Sequence, residues 1–302
     1  MRITLKQLEI FLAVYHSGTT VAAAEQVFLS QSAISMALSE LEKQLDTILF
    51  QRVAKRLIPT QQAHLLSPLA SKALKQVEEI EYLFNLKVER LVVGASTTIG
   101  NYLLPRLIRD FQQMHPEIDI RLAIFNSADI CEGLLNYDYD LGFIEGENSF
   151  VELRARKWMD DELVLFAANN SRFVPGAEPL ADFTELEHLP LILREVGSGT
   201  RVFVQKHLLQ HLERSTVMEL GNSEAIKQAV INDLGVGCLS HFALQDLLEL
   251  NKIRILSVQQ SKPLRRPLYL LENKQGTHSA AYQKFVDFAF NYRFDGMTAE
   301  HR

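Results

Sequence analysis

Between residues 61 and 88 an apolar side chain returns every three or four positions: Leu66, Leu69, Ala73, Val77, Ile80 and Phe84. One helix carrying that stripe would be about 40 Å long at roughly 1.5 Å of rise per residue. The stripe is too narrow for a helix buried in a core. It has the width of a seam between two copies of one helix, which marks those six residues as a dimerisation face. Pro68 lies near the start of the stripe and is expected to kink it. The segment divides the chain. Residues before it read as short helices, and residues after it alternate strands with helices.

In residues 1–60, Leu5, Leu8, Phe11, Leu12 and Tyr15 recur at helical spacing, and Ser17-Gly18 ends that helix. Thr19 or Thr20 can cap the next helix, whose small Ala22, Ala23 and Ala24 allow close packing. Leu29-Ser30-Gln31-Ser32 is a second break. A third helix places Ala33, Ile34, Ala37, Leu38, Leu41 and Leu45 on its apolar face. Leu49 to Thr60 then fits two short strands with a basic tip. Six bases face five acids in these 60 residues, and Arg52, Lys55 and Arg56 cluster at their end. The chain as a whole carries −6, which disfavours a polyanion partner, so this local distribution is what admits one.

From residue 89 the order is β-α-β-α-β: a strand at Leu91–Ala95, a helix from Ile99 to Met114, a strand at Asp119–Phe125, a helix at Ser127–Asn136 and a strand at Asp140–Ile144. That order predicts an open, mostly parallel sheet. Glu162–Ala167 opens a second run of the same kind. Leu268–Leu271 and the helix Ala280–Tyr292 are expected to return to the first sheet. Three Ser/Thr-rich segments sit where strands pass into helices: Ser96-Thr97-Thr98, Ser198-Gly199-Thr200 and Asn222-Ser223. Free N–H groups and the positive helix end make each a possible anion cradle, although N-capping alone would account for any one of them.

Composition removes other classes. Hydrophobic residues make up 47% and charged residues 23%, enough for packed cores and without a disorder signature. No apolar run approaches the roughly 18 residues of a membrane span, and the first residues lack the apolar core and cleavage site of a signal peptide. The two cysteines, Cys131 and Cys238, suit a reducing compartment. A cytoplasmic protein is expected, and the thiols read as buried, not as a redox switch, because no basic neighbour flanks either. No nucleophile elbow, phosphate loop or zinc helix is found. His207 and His211 stand four apart without a third ligand, so no catalytic residue, metal or cofactor is expected. Glu145 and Glu195 are candidates to approach the anion cradles.

The run Ala23-Ala24-Glu25, Leu29-Ser30-Gln31-Ser32-Ala33-Ile34-Ser35, Leu41-Glu42 and Leu49-Phe50-Gln51-Arg52 closely resembles the LysR-type transcriptional regulator family. Residues 94–105, 197–201 and 219–225 look most like its CbbR- and YeiE-like members. The resemblance spans essentially the whole chain. It implies an α/β protein with an all-α winged helix-turn-helix at about 1–60 and a dimerising linker helix at about 61–88. A periplasmic-binding-protein-like effector domain (type 2) would fill 89–302, with subdomain I at about 89–163 and 268–295 and subdomain II at about 164–267. Gln31, Ser32 and Ser35 would then meet base edges, and Arg52, Lys55 and Arg56 the phosphates. Ser96, Thr97, Thr98, Ser198, Gly199, Thr200 and Ser223 would line the effector cleft. The implied partners are double-stranded operator DNA, a small anionic effector, further copies of the chain in a dimer or tetramer, and RNA polymerase. Regulators of sulfur and carbon assimilation carry this pattern, which points to a small oxyanion or short carboxylate. A solute-binding protein or an enzyme on the same C-terminal fold is the alternative. Asp46, Ala54 and Ala63 depart from the family's usual glycines. Asp tolerates positive φ, and Ala63 favours helix.

Overall fold

The computed structural model describes the chain except residues 1–2, 54–55, 85–88, 147, 175, 177–179, 181–182, 212–215, 259–261, 277 and 295–302. For 78–79, 81–84, 183–184, 211 and 216 the backbone alone is described. Lys55 and Ala54 therefore lie outside the described residues, as does the side chain of Phe84. The chain forms two compact units, Met1–Glu89 with Leu135–Asp138, and Arg90–Leu134 with Tyr139–Arg302.

The first unit opens with α1 (Leu5–Ser17), α2 (Thr20–Gln26) and α3 (Gln31–Leu45). Their ends are set locally. Thr4 and Gln7 form a capping box on α1, and Gly18 ends it at φ 67°. Thr19, not Thr20, caps α2, and Ser30 caps α3. Asp46 closes α3 in the left-handed conformation at φ 50°, so the carboxylate residue performs the turn expected of a glycine. Phe11, Val14, Ala23, Ile34, Leu38 and Leu41 form the core. Fully burying one side chain such as Ile34 is worth about 1.5–3 kcal/mol. The antiparallel strands β1 (Phe50–Val53) and β2 (Arg56–Pro59) make the wing. Glu42 fixes the approach to it, accepting the Leu49 and Phe50 N–H groups. α4 (Gln61–Phe84) runs as one helix through Pro68. Ala63 and Ala70 are buried and Leu66 packs half-buried against the same core, whereas Leu69 and Ile80 are exposed.

The second unit is built on one sheet. Its strands are β3 (Glu89–Ser96), β4 (Ile118–Phe125), β5 (Leu141–Glu145), β6 (Leu153–Ala168), β7 (Pro190–Arg194), β8 (Thr216–Leu220), β9 (Val236–Ser240), β10 (Ile253–Leu256) and β11 (Leu264–Asn273). The order is β4-β3-β5-β11-β6-β9-β7-β8, with β10 against β6. β3 pairs parallel with β5, and β7 with β8 and β9, as the β-α-β order predicts. The middle of the sheet is antiparallel. β11 runs against β5 and β6, and β6 against β9 and β10. The sheet is therefore mixed, because two long strands cross it in opposite directions.

Those strands pass from one core into two others, one of them built on Val164 and Phe166 with Ile192 and Ile226. Met159 of β6 and Leu268 of β11 belong to a core with Phe111, Phe143 and Phe285, whereas Leu163 and Leu165 belong to one with Leu191 and Val204. Helices α5 (Leu104–Met114), α6 (Ser127–Leu135), α7 (Gly199–His207), α8 (Ser223–Ile231), α9 (Gln245–Glu249) and α10 (Ala280–Asn291) complete the unit. The single helix expected from Ile99 to Met114 is divided: Ile99–Leu103 is a π turn and α5 follows it with Pro105 in its first turn.

Candidate functional site

Two surfaces carry the residues singled out by sequence. On α3, Gln31, Ser32 and Ser35 are exposed. The Gln31 amide donates to Thr20 Oγ1 at 3.1 Å, Ser32 Oγ lies 3.0 Å from Ser30 Oγ, and Ser35 Oγ donates to the Gln31 carbonyl at 3.0 Å. These groups are oriented before any ligand arrives. Arg52 and Arg56 stand opposite Leu57 and Val53 in the wing register, and both are exposed.

The other surface is the junction between the Phe143 core and the Leu191 core of the second unit, at the ends of β3, β5, β7 and β9. There the Ser/Thr segments converge, on two arginines and a carboxylate. Glu145, at the end of β5, is buried. Its Oε1 accepts from Ser96 Oγ at 3.1 Å and from the Thr98 N–H at 3.0 Å. Its Oε2 accepts from Thr200 Oγ1 at 2.9 Å and from Arg266 at 3.0 Å. Burial alone would raise the Glu145 pKa, but Arg266, Thr98, Arg194 and Thr200 overcome it and hold the carboxyl down at about 2. Arg266 and Asp161 lie on the crossing strands β11 and β6 and form a fully buried pair, 2.7 Å apart, that Ser240 supports from β9.

Arg194, at the end of β7, is buried too. It holds Glu195 in a two-point pair at 2.7 and 2.8 Å, and donates to Ser223 Oγ at 3.2 Å and Thr97 Oγ1 at 2.8 Å. Ser198 departs from this pattern. It is 1% exposed at the start of α7, caps nothing, and its Oγ has no hydrogen-bond partner among the described residues. Gly199 is required by space, since a Cβ there would meet the Glu145 carbonyl oxygen at 2.2 Å.

All seven expected cleft residues thus meet at this junction, but not as a ring of free donors. Ser96, Thr98 and Thr200 already serve Glu145. N-capping explains only the third segment, where Asn222 accepts the Ala225 N–H. Sequence reasoning missed Arg194, Arg266 and Asp161. A signal existed for two of them: Met159, Asp161 and Leu163 alternate in phase on β6, as do Arg266, Leu268 and Leu270 on β11, which puts a charge at a core position in each strand.

Cys131 and Cys238 are both buried free thiols, pushed up by that burial to about 11 and about 12. They are poor thiolates. The His207 ring packs on Phe203, 4.2 Å between centroids. Among the described residues no group of three or more ligating side chains could hold a metal, and no helix is long and apolar enough to cross a membrane.

Residues 5–64 match the bacterial regulatory helix-turn-helix family of lysR type, and residues 85–292 match the LysR substrate binding domain. The chain belongs to the LysR family of transcriptional regulators. The HTH-type transcriptional regulator YeiE of Escherichia coli (strain K12) is 42% identical over 289 residues, covering 95% of this chain and 97% of its own. A full-length OxyR variant from Pseudomonas aeruginosa, 21% identical, shares the fold with a TM-score of 0.72 over 96% of this chain and 95% of its own. The Synechocystis PCC6803 CcmR regulatory domain, solved in complex with 2-PG, is 29% identical with a TM-score of 0.62, covering 67% of this chain and 96% of its own. The regulator is therefore a DNA-binding protein with an effector-binding domain, and the enzyme alternative falls with that membership. α3 is its candidate recognition helix, and the junction of the cores in its second unit is the candidate effector site.

Proposed function

We propose that the regulator responds to a small oxyanion or short carboxylate held between its two C-terminal subdomains, about 89–163 with 268–295 and about 164–267. The observation that carries this reading is Ser198 Oγ, a buried donor without a partner among the described residues, four residues along the chain from the buried Arg194. A buried unsatisfied hydroxyl costs free energy that a ligand oxygen recovers. The α7 start, Thr97, Ser223 and the Arg194 guanidinium supply further donors and positive potential at the same junction. Ser96, Thr98 and Thr200 act indirectly by holding Glu145, whose charge excludes larger or more highly charged anions. The complex of the CcmR regulatory domain with 2-PG supports a small molecule as the effector.

DNA is read by Gln31, Ser32 and Ser35, with Arg52, Lys55 and Arg56 on phosphates. The exposed apolar residues Leu69 and Ile80 of α4, together with Ala73, Val77 and Phe84, pair two copies, and a tetramer of two such dimers spans inverted half-sites. Leu66 adds to that seam only through its exposed part. The protein works in the cytoplasm, where RNA polymerase is its further partner. Titration calorimetry of the full-length protein with sulfite, sulfate and short organic acids tests the effector reading. One saturable anion site per chain is expected, and selective binding of a cation or of a large apolar molecule would remove it.

A further inference from the structure

Met36 is 75% exposed on the recognition helix α3. It lies two positions from Ile34 and two from Leu38, both buried, so it points roughly opposite the core. Single exposed apolar side chains are ordinary on a protein surface. Met36 is distinguished by its setting. It shares the exposed face of α3 with Ser32, one turn earlier, and Ser35, its neighbour. The polar groups of that face are engaged within the module: Gln31 with Thr20, Ser32 with Ser30, and Ser35 with the Gln31 carbonyl. Each keeps unused donor or acceptor capacity but is held in place by the bond it makes. Met36 is held by no such bond, and its flexible thioether arm adapts to whatever surface the helix meets.

The major groove offers one apolar group at base edges, the 5-methyl of thymine. We propose that Met36 is a sequence-reading side chain that packs on thymine methyl groups, one copy in each half-site. The inference rests on α3 being the recognition helix. It assigns part of the base preference to desolvation of a methyl, not to hydrogen bonds.

The test begins by selecting bound duplexes from a random library with the full-length protein, for wild type and for Met36→Ala. Alanine favours helix and the site is exposed, so an unchanged melting temperature confirms that the variant is folded. Each thymine of the wild-type consensus is then replaced in turn by deoxyuridine, which lacks only the methyl. One thymine per half-site is expected to cost wild type about fourfold in affinity, the equivalent of one buried methyl group. Met36→Ala is expected to bind the thymine and deoxyuridine duplexes alike and to select no thymine there. If no thymine is methyl-sensitive, or if the variant keeps the discrimination, Met36 does not read DNA, although the recognition helix stands. If neither protein enriches any sequence, sequence-selective binding itself fails and the inference with it.

Discussion

Helix α3 and the candidate effector cleft are built on opposite principles. On α3 the side chains proposed to meet DNA are exposed and neutral, and they lie on the face that the core does not use. In the cleft, Glu145, Asp161, Arg194 and Arg266 are all buried, and each is tied to residues distant in the chain. Function on α3 can therefore vary without disturbing the fold. In the cleft the groups proposed to face a ligand are also those that join the cores, so ligand binding and the packing of β6 against β11 would draw on the same interactions. That is the physical requirement for an effector to bias a conformational equilibrium.

Arg266→Met should show the largest effect. It strands Glu145 and Asp161 as buried carboxylates, and loss of one partner of a buried pair costs about 3–5 kcal/mol. Chemical denaturation reads this directly, and a loss under about 1 kcal/mol would mean that the cleft network is no part of the fold. Next comes pH. The Glu145 carboxyl is held at about 2, below its ordinary 4.5, so its stabilisation is present above 4.5 and is lost as pH falls toward 2. Acid unfolding of wild type should be steeper in that window than unfolding of Glu145→Gln, by an amount on the order of a few kcal/mol. Superimposable acid limbs would deny Glu145 its charged, paired state.

The exposed class should behave differently. Ile80, exposed on α4, contributes roughly 1.5–3 kcal/mol per copy if two helices bury it against each other. Ile80→Glu should then weaken dimerisation in the ultracentrifuge while leaving the melting of the effector domain unchanged. An unchanged assembly would place the seam elsewhere. Gln31→Ala should have the smallest effect on stability, within about 0.5 kcal/mol, while relaxing base preference in a selection experiment. A large stability loss there would erase the contrast between the two regions.

Legibility in sequence follows the same division. The helix ends at Gly18, Ser30 and Asp46 depend on side chains within a few residues of the backbone groups they satisfy, and the periodicities of α1, α3 and α4 are local too. The parallel pairs also follow from the β-α-β order. A return of the chain to the first sheet is legible, but the antiparallel pairing of the crossing strands is not, because nothing local fixes it. The cleft is legible only in half. Its hydroxyls lie at recognisable strand-to-helix junctions, whereas Arg266 meets an Asp161 that is 105 residues away. Such a pairing leaves no trace in spacing. Its only mark is a charged residue in phase with buried ones on β6 and β11, and in strands crossing from one core to another that mark is easily taken for an exposed position.

The most direct test of the account is Ser198→Ala, measured twice on the full-length protein. Removing a buried hydroxyl that bonds to nothing among the described residues should leave the ligand-free melting temperature unchanged or raise it slightly. Removing a donor that a bound anion uses should weaken that anion in calorimetry by about threefold to tenfold. Stability and affinity are thus predicted to part company at one atom. If Ser198→Ala lowers the melting temperature and leaves anion affinity untouched, Ser198 is a structural residue and the cleft, as drawn around Arg194, is not the effector site.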